Sequence, residues 1–479
     1  MRPWIPLLGA AASGILLGIA QVYEGAAWLC LIALVPLIFA VRDCGLPSIW
    51  LRFGIFQAAH LGISMQWARL AGRWMFPLIP AWFLYCWLFL GVAALLAAVA
   101  GRGPARLLML APAFALSEVV QRVVLFQLNG PQLGLPLAQY TRIGQLAAIG
   151  GPEMLTLAAV VANLAVVWAL FSRPRWAVGH LAVLGVAWLW CGSHLAGKPI
   201  LSTTLRAGIV QPMKPQSQEK AAKAGPLFDR MNRLIDDAAR LHPEVVVLPE
   251  SALNGLVWHD RQLADFATAA VGRTGIPLLF GSYDRENGDI YNVTVLLMPD
   301  NRVLMYRKVR LVPVAEYTPR WLPFAAPSGW PRLAPSTGYA PLPLRNGVNI
   351  GPMICLEDIL PDGAREMANA GANMFAVLIN TESFTGTAES LEHLRRARLT
   401  AIAIGLPMLR AANSGISGVL DSRGRPVAVL PEGVPAAKLV DVPLDGSLTP
   451  YRKYGDGPVI GILSAAALLI AVAGRKLHW

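Results

Sequence analysis

The hydrophobic pattern divides the chain into three parts. Apolar runs long enough to cross a bilayer, about 17–25 residues each, recur through residues 1–200, and one more lies near the end. A block of mixed polarity, residues 201–456, separates them. The predicted spans are 5–21, 25–41, 53–68, 76–98, 105–126, 152–171, 176–195 and 457–473. The first run is followed at once by a second, so it is not a cleavable signal peptide on this interpretation.

The third predicted span is the least apolar, because it contains Gln57, His60 and Gln66. With it, about seven helices precede residue 200 and about eight cross the membrane in all. We therefore expect three regions: an N-terminal membrane domain at 1–200, a polar domain at 201–456, and a C-terminal helix with a short tail at 457–479.

The polar block has the pattern of an α/β domain. Short β-branched runs predict strands, and apolar residues at helical spacing predict helices at 228–241 and 390–404. The turn sequence at 299–302 predicts a hairpin between two of the strands. The predicted strands are 205–211, 245–250, 277–283, 290–298, 303–308, 347–355 and 374–380.

Composition agrees with a membrane protein. Hydrophobic residues make up 55% of the chain and charged residues 15%, whereas soluble domains are about 25% charged. The net charge of +12 is concentrated outside the polar block, which carries only +2. The block shows no basic patch with interleaved aromatic residues, so nucleic acid is not an expected partner.

The distribution of arginine and lysine orients the array. With the N-terminus in the cytoplasm, nine basic residues fall in inside segments and four in short outside loops. The positive-inside rule favours this arrangement. Seven spans then put the polar block outside, and the eighth returns the C-terminus to the cytoplasm.

The five cysteines do not form a disulfide or zinc pattern. Four lie in or beside apolar runs, and only Cys355 lies in the polar block. A lone cysteine of this kind is either a small core residue or a nucleophile. No residue spacing indicates a metal site, and no cofactor is expected.

Three reactive side chains stand at the ends of predicted strands. Glu250 closes one apolar run, Lys308 follows another, and Cys355 follows a third. A thiol is mostly protonated near neutral pH, so it needs a base or a positive field to become a nucleophile. Glu250 would act as general base and then proton donor, and Lys308 would stabilise an oxyanion and the thiolate.

Glutamate, lysine and cysteine in this order resemble the nitrilase, or carbon–nitrogen hydrolase, superfamily. With the flanking spans, the whole chain resembles the apolipoprotein N-acyltransferase family. The matching stretches are Gln211–Gln216, Leu248–Leu253, Leu311–Pro319, Ala411–Ser417 and Asp421–Arg425. The resemblance implies a nitrilase-type α-β-β-α sandwich beside the multi-span helical domain.

The resemblance also implies a reaction. A phospholipid acyl donor would acylate Cys355, and the acyl chain would then pass to the amine of a lipid-modified apolipoprotein. Glu316 matches a second functional glutamate of the family, and Glu357 matches the acid two residues after its cysteine. The implied location is the bacterial inner membrane, with the catalytic domain in the periplasm.

Some positions depart from the family pattern. Leu356 replaces a tyrosine, Asn380–Gly386 replaces an Asn-Asp-Ala-Trp-Phe-Gly stretch, Ile404 replaces a glutamate, and a tryptophan expected after the Gln211 segment is missing. Two alternatives therefore stay open. One is a divergent nitrilase-like protein of a plasmid conjugal-transfer system, and the other is a membrane-tethered amidase that uses water as acceptor.

Two acidic residues lie in or near predicted spans. Ionisable groups at membrane depth are functional candidates by default. Glu118 is such a candidate, whereas Glu153 follows Gly151-Pro152 and suits a helix start at the membrane interface.

Overall fold

The computed structural model describes residues 2, 4–69, 78–124, 130–171, 173–196, 203–214, 224–318, 332–345 and 347–476, with the backbone alone at 196, 224, 475 and 476. The chain folds into two compact units. The helical unit comprises Met1–Gly197 and Thr449–Trp479, and the α/β unit comprises Lys198–Leu448. The expected boundary at 200/201 lies outside the described residues.

The helical unit is built from long apolar helices joined by short turns. Its longer helices are α1 (Ile5–Val22), α2 (Val35–Val41), α3 (Leu46–Ser64), α4 (Leu78–Val99), α5 (Pro104–Val123), α8 (Glu153–Leu170), α9 (Pro174–Ala196) and α15 (Gly457–Lys476). Short helices are α6 (Thr141–Gly144), α7 (Ala147–Gly150) and α14 (Pro450–Tyr454). Turns of 3₁₀ helix cover Glu24–Leu31, Gln66–Arg69 and Leu135–Gln139.

Six helical segments in the described residues are long and apolar enough to span a membrane. They are Ile5–Val22, Glu24–Val41, Leu78–Val99, Glu153–Leu170, Pro174–Leu195 and Gly457–Gly474. Each coincides with a predicted span, although 76–77 of the fourth lie outside the described residues. The predicted third span, 53–68, corresponds to α3, which begins seven residues earlier at Leu46. The predicted fifth span corresponds to α5, and 125–126 at its end are not described.

The helix α14 packs within the helical unit, although the sequence assigns it to the polar block. Tyr451 is fully buried, and a Cβ on Gly151 would lie 2.9 Å from its ring. Helix α14 contacts α7, and α15 contacts α5. The chain therefore rejoins the helical unit at Thr449, before the last apolar helix begins.

Buried ions join three segments of the helical unit. Arg122, in the last turn of α5, binds Glu153 at 2.9 Å and Asp456 at 2.6 Å. Arg122 and Glu153 are each 1% exposed. Glu153 begins α8 without capping it, because the preceding residue is Pro152 and no side chain caps the helix. Glu118 accepts hydrogen bonds from the Leu133 amide and the Thr156 hydroxyl.

The α/β unit contains two mixed six-stranded sheets in its described part. The first sheet has the order β12-β1-β2-β3-β4-β5 and the second β11-β10-β9-β8-β7-β6. The strands are β1 (Thr204–Gln211), β2 (Val245–Val247), β3 (Leu278–Glu286), β4 (Asp289–Leu297), β5 (Val303–Arg307), β6 (Leu342–Arg345), β7 (Val348–Ile354), β8 (Met374–Ile379), β9 (Met408–Ala412), β10 (Gly418–Leu420), β11 (Pro426–Val429) and β12 (Ala436–Pro443).

Helices cover the sheets to complete the predicted α-β-β-α sandwich. The helices are α10 (Ala224–Ala239), α11 (Arg261–Thr274), α12 (Pro361–Asn369) and α13 (Ala388–Ile404). Met231 and Ile235 of α10 and Phe266 of α11 share one buried cluster with strands of the first sheet. Contacts between β1 and β9 and between β4 and β7 join the two sheets. The fold class expected from the sequence is confirmed.

The strand directions in the first sheet determine which strand ends lie at the same edge. Strands β1, β2 and β3 run parallel. Because β3, β4 and β5 are successive antiparallel neighbours, β5 runs in the same direction as β2. Residues after β2 and after β5 therefore emerge at the same edge. The predicted hairpin is also present, with Leu297 opposite Val303.

Removal of the buried cation tests the ionic junction of the helical unit. We expect Arg122→Gln to lower the melting temperature of the protein in detergent, because breaking a buried pair by removing one partner costs about 3–5 kcal/mol. Arg102→Gln, at an exposed arginine, is the matched control. Equal melting temperatures for the two variants would contradict a stabilising role for the junction.

Candidate active site

The three predicted reactive residues follow strands of both sheets. Glu250 comes three residues after β2, Lys308 directly follows β5, and Cys355 directly follows β7. Glu250 is 8% exposed and Lys308 1%, while Cys355 is half-buried. Strand ends in an open α/β sheet are where ligand crevices form, so sequence position and fold agree here.

Lys308 binds two carboxylates. Its Nζ lies 2.8 Å from Oε1 of Glu316 and 3.7 Å from Oε1 of Glu250. Because the ammonium is almost fully buried, its charge needs partners of opposite sign. The sequence predicted Glu250 and Lys308 as a pair, and it named Glu316 only through a family resemblance. The structure brings all three together.

Two asparagines hold the carboxylates of Glu250 and Glu316 in place by hydrogen bonds. Asn292 Nδ2 donates to Glu250 at 2.8 Å and to Glu316 at 3.2 Å. The backbone amide of Asn380 donates to Oε2 of Glu250 at 3.0 Å. Sequence reasoning missed both roles. Asn292 lies within strand β4, where nothing in the sequence marks it as a site residue. Asn380 directly follows strand β8, and this position at a strand end could have suggested a role in the site.

The electrostatics follow from burial and from neighbouring charge. Burial raises the pKa of the Glu250 carboxyl, and Glu316 adds to this effect, while Lys308 and the two hydrogen bonds oppose it. Burial alone would lower the pKa of the Lys308 ammonium, but the charges of Glu316 and Glu250 outweigh it and raise the pKa. Lys308 is therefore a permanent cation, and Glu250 is a stronger base than an exposed glutamate.

Cys355 has a strained backbone. Its φ is +52°, a conformation that non-glycine residues adopt at a cost of about 1–3 kcal/mol and that is concentrated at functional sites. Burial raises the pKa of its thiol well above the usual value, with Glu250 adding to the rise and Lys308 opposing it. The resting side chain is thus a thiol that needs a base to ionise.

Glu357 joins the segments that carry Lys308 and Cys355. Its carboxylate accepts hydrogen bonds from Tyr306 Oη at 2.8 Å and from the amides of Val309 and Arg310 at 2.9 and 3.1 Å. It also accepts from the Ile354 amide at 2.8 Å. Glu357 is fully buried and thereby ties the end of β5 to the end of β7.

The turn after β2 is tightly packed. Ser251, next to Glu250, has φ +51°. A Cβ on Gly281 would lie 2.6 Å from Cα of Glu250 and 2.7 Å from the Ser251 amide nitrogen. Only glycine at position 281 lets β3 approach this turn so closely.

Two of the sequence stretches that suggested the family meet beside Glu250. The Lys214 amide donates to Asn413 Oδ1 at 2.7 Å, and Asn413 Nδ2 donates to Asn380 Oδ1 at 3.2 Å. The Lys214 ammonium donates to the Ser251 carbonyl at 2.8 Å. Burial lowers the pKa of Lys214 to about 8, and Glu382 partly offsets this. Pro215 and Gln216 of the first stretch lie outside the described residues, as does Pro319 at the end of the matching stretch Leu311–Pro319.

This arrangement can perform acyl transfer through a covalent intermediate. It combines a nucleophile, a base of raised pKa and a fixed cation, which are the parts that thiol-based covalent catalysis requires. No group of three or more His, Cys, Asp or Glu in the described ranges has the arrangement of a metal site.

Comparison with known proteins gives family matches on both units. The profile described as carbon-nitrogen hydrolase matches residues 206–445, and that of the apolipoprotein N-acyltransferase N-terminal domain matches residues 13–165. The apolipoprotein N-acyltransferase of Caulobacter vibrioides is 31% identical over 421 residues, covering 80% of this chain and 77% of the relative. That of Brucella melitensis is 27% identical over 473 residues, covering 90% and 85%.

A solved structure also resembles the α/β unit. The crystal structure of a carbon-nitrogen hydrolase from Helicobacter pylori covers 50% of this chain and 90% of its own, at 18% identity and a TM-score of 0.41. The family itself rests on the two profiles and on the Caulobacter relative. The chain belongs to the apolipoprotein N-acyltransferase family and is a membrane enzyme of the carbon–nitrogen hydrolase superfamily.

Proposed function

We propose that this protein moves an acyl chain from a phospholipid, through a thioester on Cys355, to the N-terminal amine of a lipid-modified apolipoprotein. The main support is the buried Lys308 ammonium bound between Glu316 and Glu250, beside a cysteine of strained backbone. The relatives are apolipoprotein N-acyltransferases, and this supports the acceptor class. Apolar helices that precede and follow the α/β unit in the sequence favour a lipid donor.

The first half-reaction acylates the enzyme. Glu250 removes the Cys355 proton as the sulfur attacks the ester carbonyl of the phospholipid. The Lys308 ammonium stabilises the negative charge that develops in the tetrahedral intermediate. The carbon–oxygen bond to glycerol then breaks, Glu250 protonates the departing alkoxide, and a lysophospholipid leaves.

The second half-reaction consumes the thioester. The acceptor α-amine attacks the carbonyl, and Glu250 takes the proton that the amine loses. The carbon–sulfur bond breaks, the amide forms, and the proton returns to the sulfur. No net proton or electron is gained, so the cycle balances with the three side chains of Cys355, Glu250 and Lys308.

Glu316 and Glu357 have supporting roles in this proposal. Glu316 neutralises Lys308 and is itself held by the Val312 amide at 2.7 Å, so it keeps the cation in place as Glu250 gains and loses its proton. Glu357 fixes the spacing of Lys308 and Cys355 through its contacts with both segments. Neither residue needs to touch substrate.

The proposed location is the bacterial inner membrane, with the α/β unit in the periplasm. The excess of arginine and lysine in the inside segments supports this orientation. Lipid-modified apolipoproteins would reach the site at the outer surface of that membrane. The nucleophile would then work on two substrates that are both anchored in lipid.

Loss of the thiol tests the covalent intermediate. We expect Cys355→Ala to abolish transfer of label from an acyl-labelled phospholipid to the protein, while membrane insertion stays normal. Cys44→Ala, which removes another half-buried free cysteine, should label like the unaltered protein. Absence of label on Cys355 in the unaltered protein, with hydrolysis of a small amide instead, would support the amidase alternative.

Replacement of the base tests the proton path. Because the pKa of Glu250 is raised, the rate of thioester formation should fall as the pH drops through that value and the carboxylate becomes protonated. Glu250→Gln should slow the reaction by about 10²–10⁴-fold, and the remaining rate should rise only toward the higher pH at which the thiol ionises. Rapid-quench labelling across pH measures both effects.

The control for the base is Glu286→Gln on the same sheet. Glu286 is exposed and pairs with Arg307, so its loss changes local charge without touching the site. A Glu250→Gln variant with the rate and pH dependence of this control would rule out Glu250 as the base.

Reporter fusions test the orientation. A reporter that is active only in the periplasm should be active when fused after residue 200 and inactive when fused at the C-terminus. Activity at each junction is compared with a cytoplasm-active reporter at the same site, which controls for expression. The reverse pattern would overturn the proposed orientation.

A further inference from the structure

We propose that Asp358, held by His393 and Arg410, is a positioning group for the Cys355 nucleophile; this inference rests on the proposed function. Asp358 lies three residues after Cys355 and is fully buried. It belongs to neither the Glu250–Lys308–Cys355 group nor the two supporting glutamates. Its partners come from two other elements of the second half of the sandwich.

The contacts of Asp358 are short and enclosed. Oδ1 lies 2.6 Å from His393 Nε2, and Oδ2 is paired with the Arg410 guanidinium. His393 lies on α13 and Arg410 on β9, and their exposures are 8% and 3%. The Asp358–Arg410 ion pair is strong because little water screens the two charges. Asp358 therefore anchors the segment after Cys355 to a helix and a strand at once.

The segment that needs anchoring is short and strained. Cys355 has φ +52°, and Cys355–Ile359 form one turn of 3₁₀ helix. One such turn makes few hydrogen bonds of its own. Two successive residues connect this 3₁₀ turn to different parts of the fold. Glu357 binds the backbone amides after Lys308, and Asp358 binds α13 and β9. The segment after the cysteine is thus held by both sheets.

A stabilising ion pair alone would behave differently from a positioning group. Burial is the main cause of the raised pKa of the Cys355 thiol; Glu250, Glu316 and Asp358 add to the rise, and Lys308 opposes it. Loss of the Asp358 charge should therefore make the thiol easier to ionise. Loss of its anchoring should make the ionised sulfur less well aligned with the ester. Alkylation of the thiol should therefore become easier at a given pH, whereas acylation by the phospholipid should become slower.

The experiment compares full-length Asp358→Asn with the unaltered protein in detergent–phospholipid micelles. We expect acylation of Cys355 at saturating labelled phospholipid to fall about ten-fold, as expected for a misaligned nucleophile, with little change in the half-saturating lipid concentration. Alkylation of Cys355 by iodoacetamide should reach half its maximal rate at a lower pH than in the unaltered protein.

Asp421→Asn is the matched control. Asp421 is 4% exposed and binds the Arg425 guanidinium and the Arg423 backbone amide. It is therefore a buried aspartate of the same domain, paired with an arginine that is 43% exposed, and it lies outside the site. This variant should melt at a lower temperature and yet keep the acylation rate and the alkylation profile of the unaltered protein.

Two results would overturn the positioning role. One is an unchanged acylation rate in Asp358→Asn, and the other is a parallel loss of acylation and alkylation together. If Asp358→Asn does not fold, His393→Gln replaces it, because glutamine still offers a hydrogen-bond donor to Asp358. This variant should show a smaller loss of acylation with little change in melting temperature. An unchanged acylation rate in His393→Gln would count against the proposal. Failure of the unaltered protein to accept acyl label, with a shifted alkylation profile in Asp358→Asn, would count against the proposed function alone.

Discussion

The site is organised around one buried ammonium group. A lysine that is 1% exposed can keep its charge only if carboxylates replace the lost water. Lys308 has two, and both carboxylates then need donors of their own, which Asn292, the Asn380 amide and the Val312 amide supply. The positions of β2, β4, β5 and β8 are thus linked through a single cation. A base of raised pKa follows from the same burial, because desolvation makes Glu250 hold its proton more tightly.

The second constraint is the geometry of the nucleophile. Cys355 directly follows β7, and its backbone adopts a strained φ of +52° at that position. Strain of this kind persists where the surroundings over-determine it. Glu357 and Asp358 provide that surrounding from consecutive positions, so the residues just after the cysteine are as much a part of the site as those that face the substrate. The departure at Leu356 lies between Cys355 and Glu357 and leaves both anchoring residues, Glu357 and Asp358, unchanged.

Local patterns predicted much of the fold. The predicted strands at 205–211, 290–298 and 374–380 match β1, β4 and β8 within one residue at each end, because each is a continuous run of β-branched and apolar residues. The strands β6 and β9 to β12 and the helices α11 and α12 were not predicted. Strand β12 is stabilised by its register with β1, where Thr204 lies opposite Pro443, and sequence separation hides that partner. The order of Glu250, Lys308 and Cys355 could be predicted because each residue ends a local strand pattern. The roles of Asn292 and Asp358 could not, because they depend on contacts with residues distant in the sequence.

The helical unit contains two long helices, α3 and α5, that are not among the six segments apolar enough to span a membrane. Helices α3 and α5 are long enough to cross, but α5 carries Arg106, Glu118 and Arg122, and these groups are satisfied inside the unit. Arg106, for example, donates to the carbonyls of Ala97 and Val41 at 3.1 and 3.0 Å. If α3 and α5 both cross, seven crossings precede the α/β unit; if neither does, the apolar segments of the described chain leave five. Both numbers are odd, so the proposed orientation survives either count. The orientation requires that α3 and α5 either both cross or both do not, and the two helices pack against the same helix, α4.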